Sequence, residues 1–511
     1  MNFTRFFQAV LAAALVLAAR PSHAGSGWYD FAHENVIGTS LDLHFQAASP
    51  ELAAKAETAA LAEIDRLAAI LSGYDERSEF SRWFLTRDQP VPVSADLFAV
   101  LALYDAWRVS SRGALEAATE AAAQLWRAAA QRGRAPTEAE LAATVEAMRG
   151  THWRLDPVAR TATHLTSVPL RLNSFTKGYI LDRAANAALA AGHLDTAVVN
   201  IGGDIVVRGG AAQVVTVTDP SAPADNEAPF AAVTLANRAI ATSGGYRRGV
   251  QVAERHHSHL IDPRTALPAT AVASATVIAA DAVEAGALAT ALGVLTADEG
   301  VRLAASRGHA EYLLVLADGR QVASPGWNAM ASPVPAASVA SRLTPGSLQA
   351  VAGSAPSVAP AVEASISFQI ASPGGRAKRP FVAVWIEDKD GFPVRTVALW
   401  YHGNRWLPDL RSWMKADHMR AMTEGTQIAA TISSATRGPG QYSLKWDGRD
   451  AQGNALPAGD YTLFIEAARE HGTHQVMKHA FSLPRPGEHV DLPGNVELSA
   501  ASIDFRRVGG L

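Results

Sequence analysis

The chain is divided by its own composition. From Pro333 to Pro360 it reads PVPAASVASRLTPGSLQAVAGSAPSVAP, rich in Pro, Ala, Ser and Gly and without an aromatic residue. Such a stretch has little to bury and reads as a linker. Before it, helical and strand patterns mix without regular βα alternation, which predicts an α+β domain over residues 25–332. After it come VAVWIEDKDG, RTVALWY, IAATIS, YSLKWDG, YTLFIEAARE and VELSAASIDF, strand-length apolar or alternating runs separated by Gly, Pro and Asn. They predict an antiparallel β-sandwich over residues 361–511.

Local signals sharpen the first region. Leu61, Ile64, Leu67, Ala68 and Leu71 fall at helical spacing within Glu51 to Leu71. Ser94 reads as the N-cap of a helix carrying Leu97, Val100, Leu101 and Tyr104. Ala114 to Ala130 reads as helix, and Thr137-Glu138-Ala139-Glu140 as a capping box. Strands are expected at Ile37–Phe45, Thr196–Asn200, Ile205–Arg208, Val214–Thr218, Val272–Ala279 and Tyr312–Leu316. In the second region, WDGRDAQGNALPAGDYTL reads as a turn-rich hairpin.

Arg5, the uncharged run Ala9–Ala19 and the small-x-small site Ser22-His23-Ala24 have the layout of a secretory signal peptide ending at residue 24. Its removal takes away Arg5 and Arg20 and moves the net charge from −4 to −6. The expectation is an exported, periplasmic protein with no membrane span in its mature part. The acidic balance argues against nucleic-acid binding by phosphate neutralisation. With no Cys among 511 residues, disulfides, thiolate-bound zinc, iron–sulfur clusters and attached c-type haem are excluded.

Four polar clusters are candidates for chemistry. In HHSHLIDPRT, His257 and His259 can share a strand face and, with His256, bind a metal; alternatively the stretch is a polar loop whose Asp262-Pro263 starts a turn. In NSFTKGYILDRA, Ser174 or Thr176 can cap a helix, and Lys177 can add charge to an anion site at its first turn. Gly202-Gly203 marks a tight turn or a close approach. Arg247 and Arg248, in ATSGGYRRG, are possible phosphate partners.

The order of these clusters is the specific signal. SGYDERSEFSRW, SSRGALEAAT, TKGYILDRA, VNIGGDI, IATSGGYRRG, HHSHLIDPRT and SATVIAADAVEAGALATAL run in the sequence expected of ApbE-like flavin transferases, from about Val36 to about Trp327. VAVWIEDKDGFPVRT and FIEAAREHGTHQ resemble a domain of unknown function fused behind some of them. The resemblance implies an exported protein that binds FAD and, with Mg²⁺, transfers FMN to a Ser or Thr of a target protein. It places Ile37 at the Met of an M-G-T strand, Tyr74 at the Tyr of S-x-Y-x-x-x-S, and Ala114, Leu115 and Glu116 where the family has Ala-Phe-Asp beside FAD. Lys177 matches the Lys of K-G-Y, and Ile261 a flavin-pocket position. The family closes that last motif with Gly, where this chain has Ala266.

The main departure is at the implied metal site. Family members read A-D-A-L-x-T, with the Asp and Thr as Mg²⁺ ligands alongside a backbone carbonyl. Here Thr290 is kept, Ser174 holds the carbonyl position, and the Asp is replaced by Gly286. Asp281 and Glu284 are not obvious substitutes. Asp204 and His259 are candidate bases for the transfer step. The alternative is a non-catalytic FAD-binding or flavin-carrying protein. TISSATRG, ending at Thr436 and Arg437, faintly resembles the Ser-Gly-Ala-Thr context that such transferases modify.

Overall fold

The computed structural model describes residues 26–218, 220, 229–245, 249–253, 255–333, 362–371, 379–401, 404–424, 433–434, 437–470, 472–484 and 487–507. The signal-peptide segment, most of the linker, Arg247, Arg248 and Thr436 lie outside them.

The elements of the N-terminal region that position the site are, in chain order, β1 (Gly27–Val36), β2 (Thr39–Ala47), α1 (Pro50–Leu71), α2 (Ala95–Ser110), α3 (Thr119–Arg132), α4 (Asn173–Gly192), β3 (Thr196–Ile201), β4 (Asp204–Gly209), β5 (Gln213–Val217), β6 (Ala231–Leu235), β7 (Ala239–Gly244), β8 (Val272–Ala279), α5 (Ala282–Val294), α6 (Ala297–Arg307), β9 (Glu311–Leu316) and β10 (Gln321–Ala323); shorter elements, among them the helix Glu138–Arg149, lie between them. Eight strands form one sheet in the order β1-β2-β3-β4-β7-β8-β9-β10, with every neighbouring pair antiparallel. Alternation decides its faces. Leu41, Leu43 and Phe45 of β2 point into a core shared with Ala53, Ile64 and Leu67 of α1 and with buried residues of α4 and α5. Val207, Ile240, Ile278 and Leu313 point the other way, where the β5–β6 hairpin covers them with Val217, Val233 and Leu235. Helices on one face of an antiparallel sheet are the expected α+β arrangement.

Caps fix the helix starts. The Ser49 hydroxyl accepts from the Leu52 N–H, and Ser94 from Leu97, while Thr137 and Glu140 form the reciprocal capping box that their spacing predicts. Two expectations fail. Neither Ser174 nor Thr176 caps α4: the N-cap is Leu172, and the Thr176 hydroxyl instead donates to the Leu172 carbonyl. The Ala-rich stretch becomes helical only from Thr119. The backbone over residues 111–118 is turned away by Arg112 (φ 54°) and Gly113 (φ 84°), and Ala114–Glu116 form a buried loop.

The C-terminal region is β-rich. Its strands are Val362–Ile370, Pro380–Asp388, Pro393–Trp400, Ser433–Ser434, Gly440–Trp446, Gly459–Arg469, His474–Leu483, Glu488–Leu492 and Leu498–Arg507, arranged in a four-stranded and a five-stranded sheet. One core draws Ile366 and Phe368 from the first and Val384, Ile386 and Ile465 from the second. The expected hairpin after Trp446 is instead a crossover. Gly440–Trp446 pairs with Val362–Ile370 and Gly459–Arg469 with Pro380–Asp388, so the turn-rich segment passes between sheets. The sequence patterns gave no sign of the helix Arg411–Glu424. It lies on the outer face of the five-stranded sheet, Trp413 against Trp385, and the buried Glu466 carboxylate accepts from the Ser412 and Trp413 amides at 2.8 and 2.7 Å.

Candidate functional site

Two tight turns lie side by side at one end of the large sheet. Ile37 and Gly38 (φ 47° and 79°) close β1 onto β2, and Gly202 and Gly203 (φ 55° and 93°) close β3 onto β4. Positive φ at both central residues matches the twist of a two-residue hairpin. A side chain at Gly202 would begin 2.5 Å from the Thr39 hydroxyl, so glycine lets the turns touch. They form one rim of a cleft of about 2080 Å³. The first residue after the second turn is Asp204, mostly buried, and its carboxylate pairs with the Lys177 ammonium of α4 at 2.6 Å. Lysine carries three N–H donors, so this pair leaves the ammonium able to bind a further anion.

The approach of α4 to α5 is set by Gly178. A Cβ there would lie 2.4 Å from the Ala282 carbonyl. One helical turn later Asp182 accepts from the Ala282 and Val283 amides at 2.9 and 3.2 Å and from Arg208 of β4 at 2.8 Å. Burial pushes the Asp182 carboxyl up, against the pull of those donors. This residue ties together the three elements that carry Lys177, Thr290 and Asp204. Sequence reasoning missed it, although the i, i+4 spacing of Gly178 and Asp182 puts both on one helix face.

The remaining candidates also line the cleft: Ile37, Tyr74, the loop residues Ala114, Leu115 and Glu116, Ser174, His259, Ile261, Gly286 and Thr290. Tyr74 is exposed, with the Arg171 guanidinium 5.0 Å from its ring centre and Asn173 donating to its hydroxyl. Glu116 pairs with Arg108 at 2.9 Å, yet burial still pushes its carboxyl up. Ile261 opens a short hairpin tied down by Arg264, which bridges Asp262 and Glu299 at 2.8 Å each. Ala266 has φ 57°, the left-handed backbone that explains a family preference for Gly there.

The three histidines do not converge. His256 contacts the Gly245 carbonyl, His257 packs against Trp126 at 4.6 Å, and His259 lies past the strand end at the cleft. Among the described residues no three His, Asp or Glu side chains are grouped to hold a metal ion. At the position implied for Mg²⁺, Thr290 donates to the Gly286 carbonyl at 2.9 Å and lies 3.5 Å from the Ser243 hydroxyl. Asp281 is the N-cap of α5, and Glu284 is engaged by Arg307 at 2.6 Å. Both are occupied elsewhere, and the donors left are neutral. A hard dication normally takes one or two carboxylates, so this set does not fit Mg²⁺.

A sequence profile of the ApbE family matches residues 37–314, more than half of the chain. The chain belongs to the ApbE family. A second profile, described as "Predicted periplasmic protein (DUF2271)", matches residues 363–500. The chain is 29% identical over 262 residues to the FAD:protein FMN transferase of Haemophilus influenzae, spanning 49% of this chain and 75% of that one. It is 31% identical over 257 residues to the protein of the same name from Treponema pallidum, spanning 46% and 70%. Its fold matches the crystal structure of the ApbE protein of Thermotoga maritima with a TM-score of 0.54 and 25% identity, over 60% of this chain and all of that one. Among the described residues no helix is long and apolar enough to cross a membrane.

Proposed function

We propose that this ApbE-family chain binds FAD in the cleft and acts as an FAD:protein FMN transferase on a Ser or Thr of a protein acceptor. The observation that carries the reading is the Lys177–Asp204 pair at the floor of a cleft whose walls hold Ile37, Tyr74, Ala114–Glu116 and Ile261. A lysine ammonium beside a pyrophosphate offsets charge on the phosphoryl oxygens as the leaving group departs. In the transfer, the acceptor oxygen bonds to the phosphorus of the FMN half, the P–O bond to AMP breaks, and AMP leaves with the electron pair. The acceptor proton passes to a base, for which Asp204 and His259 are the candidates. Asp204 presents its carboxylate to the cleft beside Lys177, and His259 lines the same cleft. The buried apolar loop at Ala114 and Leu115 excludes water from the flavin side.

No metal step belongs to this reading. Gly286 favours a second one, in which the chain binds or carries flavin without transferring it. Export, with cleavage after Ala24, is part of both and is supported by the apolar N-terminal run and the periplasmic description of the second profile. Titration of purified protein with FAD, followed by AMP release in the presence of a Ser-Gly-Ala-Thr peptide, separates the two. FAD binding with AMP release and a flavin-labelled peptide supports transfer. Binding without release supports the carrier. Absence of binding overturns both.

A further inference from the structure

The cleft is larger than one dinucleotide requires, since ligand pockets usually measure about 300–1,000 Å³, and this one holds about 2080 Å³. Part of it runs alongside the first strand of the β5–β6 hairpin. Gln213, Val214, Val215 and Thr216 all line it. Successive side chains of a strand point to opposite faces, so four in a row reach one cavity only where the edge of the strand faces that cavity. β5 pairs with β6 along its other edge, and among the described residues this edge has no strand partner. Tyr401 and Arg437, both from the C-terminal region, line the same cleft. Arg437 is held in place, its guanidinium 4.9 Å from the centre of the Trp400 ring. The buried Arg379 pairs with Asp42 of β2 and fastens this region to the sheet.

We infer that the free edge of β5 is a strand-addition site for an extended segment of the polypeptide acceptor, with Tyr401 and Arg437 as its far wall. The inference rests on the transferase reading above. An edge strand offers a row of backbone donors and acceptors that a second extended chain satisfies. Tyr401 and Arg437 bound the segment on its other side. β5 lies on the hairpin face of the sheet and the Lys177–Asp204 pair on the helix face, so a segment seated on β5 brings a hydroxyl to that pair by crossing the turns at Gly38 and Gly203, which line the same cleft. The C-terminal region thereby becomes part of the acceptor site.

The test uses the full-length, FAD-loaded protein and a fluorescent Ser-Gly-Ala-Thr peptide, read by anisotropy. Two further peptides carry N-methyl groups on alternate backbone amides, one set on odd and the other on even positions. Strand addition predicts that one set weakens binding about tenfold and the other leaves it unchanged. Arg437→Ala and Tyr401→Ala should each weaken the unmodified peptide about fivefold while leaving FAD affinity within about twofold, which also shows that the variants are folded. Equal effects of the two methylated sets, or no peptide binding by protein that binds FAD, overturn the inference. So does a loss of FAD affinity in the Arg437 or Tyr401 variant without a loss of peptide affinity. Failure of the wild type to bind FAD overturns the transferase reading instead.

Discussion

Ile37 holds a backbone conformation that a β-branched side chain resists, with φ 47° at the rim of the cleft. Strain of this kind persists where the surroundings enforce it and costs about 1–3 kcal/mol. Asparagine tolerates left-handed backbone far better. Ile37→Asn is therefore expected to raise stability by about 0.5–1 kcal/mol in urea unfolding and to weaken FAD binding through the lost apolar contact. A variant of clearly lower stability would show that the packing of Ile37 against the core outweighs the strain in the turn. Gly286 gives the opposite kind of case, a position with room to spare. A Cβ there meets nothing within 4 Å, and Gly inside a helix costs about 1 kcal/mol relative to Ala. Gly286→Asp should fold as stably as the wild type. It should also add the carboxylate that Thr290 and Ser174 lack, tightening Mg²⁺ binding to the FAD-loaded protein about tenfold or more in calorimetry. Equal Mg²⁺ affinity in the two proteins would mean that another group already serves the ion.

At the scale of elements, Asp182 and Arg264 do similar work from different depths. Asp182→Ala removes the acceptor from two α5 amides and a carboxylate from Arg208, an expected loss of about 2–4 kcal/mol. Asp182→Asn keeps one carbonyl oxygen and should fall between. Hydrogen exchange at the Ala282 and Val283 amides checks the cause, since a loss of stability without faster exchange there would place the damage elsewhere. Arg264 holds the Glu299 carboxyl down to about 2, from an ordinary 4.5. A depressed carboxylate stabilises the fold fully above its unfolded value, and that contribution fades as pH falls from about 4.5 toward about 2. Both side chains are about one-third exposed, so solvent screening keeps the effect small. Thermal midpoints measured from pH 7 to pH 3 should fall less steeply for Arg264→Met than for the wild type; parallel curves would discount the bridge. These elements also show what the sequence could reveal. Ser49, Ser94 and the Thr137–Glu140 box announce their helices because a cap is a local bond between near neighbours. The loop at Ala114–Glu116 does not, because alanine favours helix and only the turn at Arg112–Gly113 overrules it. Helix Arg411–Glu424 lacks a clear apolar stripe, and its anchor Glu466 lies on a distant strand.

Across the whole molecule, residues of family motifs far apart in the chain line one cleft, as the order of those motifs leads one to expect. That order does not show that the C-terminal region reaches the same cleft, because this depends on contacts between residues distant in sequence, the Arg379–Asp42 pair among them. Arg379 is almost fully buried and pairs with Asp42, which also accepts from Asn200 at 2.9 Å. A guanidinium taken out of water needs its carboxylate, whereas Asp42 is about one-third exposed and can be rehydrated. The two single substitutions should therefore differ. Asp42→Ala is expected to cost about 2–3 kcal/mol and Arg379→Ala about 1 kcal/mol, with a double variant close to the Arg379 single. Tryptophan fluorescence in urea is a suitable measure, since Trp83 and Trp126 report the first region and Trp385 and Trp446 the second. If the ion pair couples the regions, the wild-type transitions should lie closer together than those of the Asp42 variant. Additive single effects in the double variant would show that the two side chains do not act as a pair.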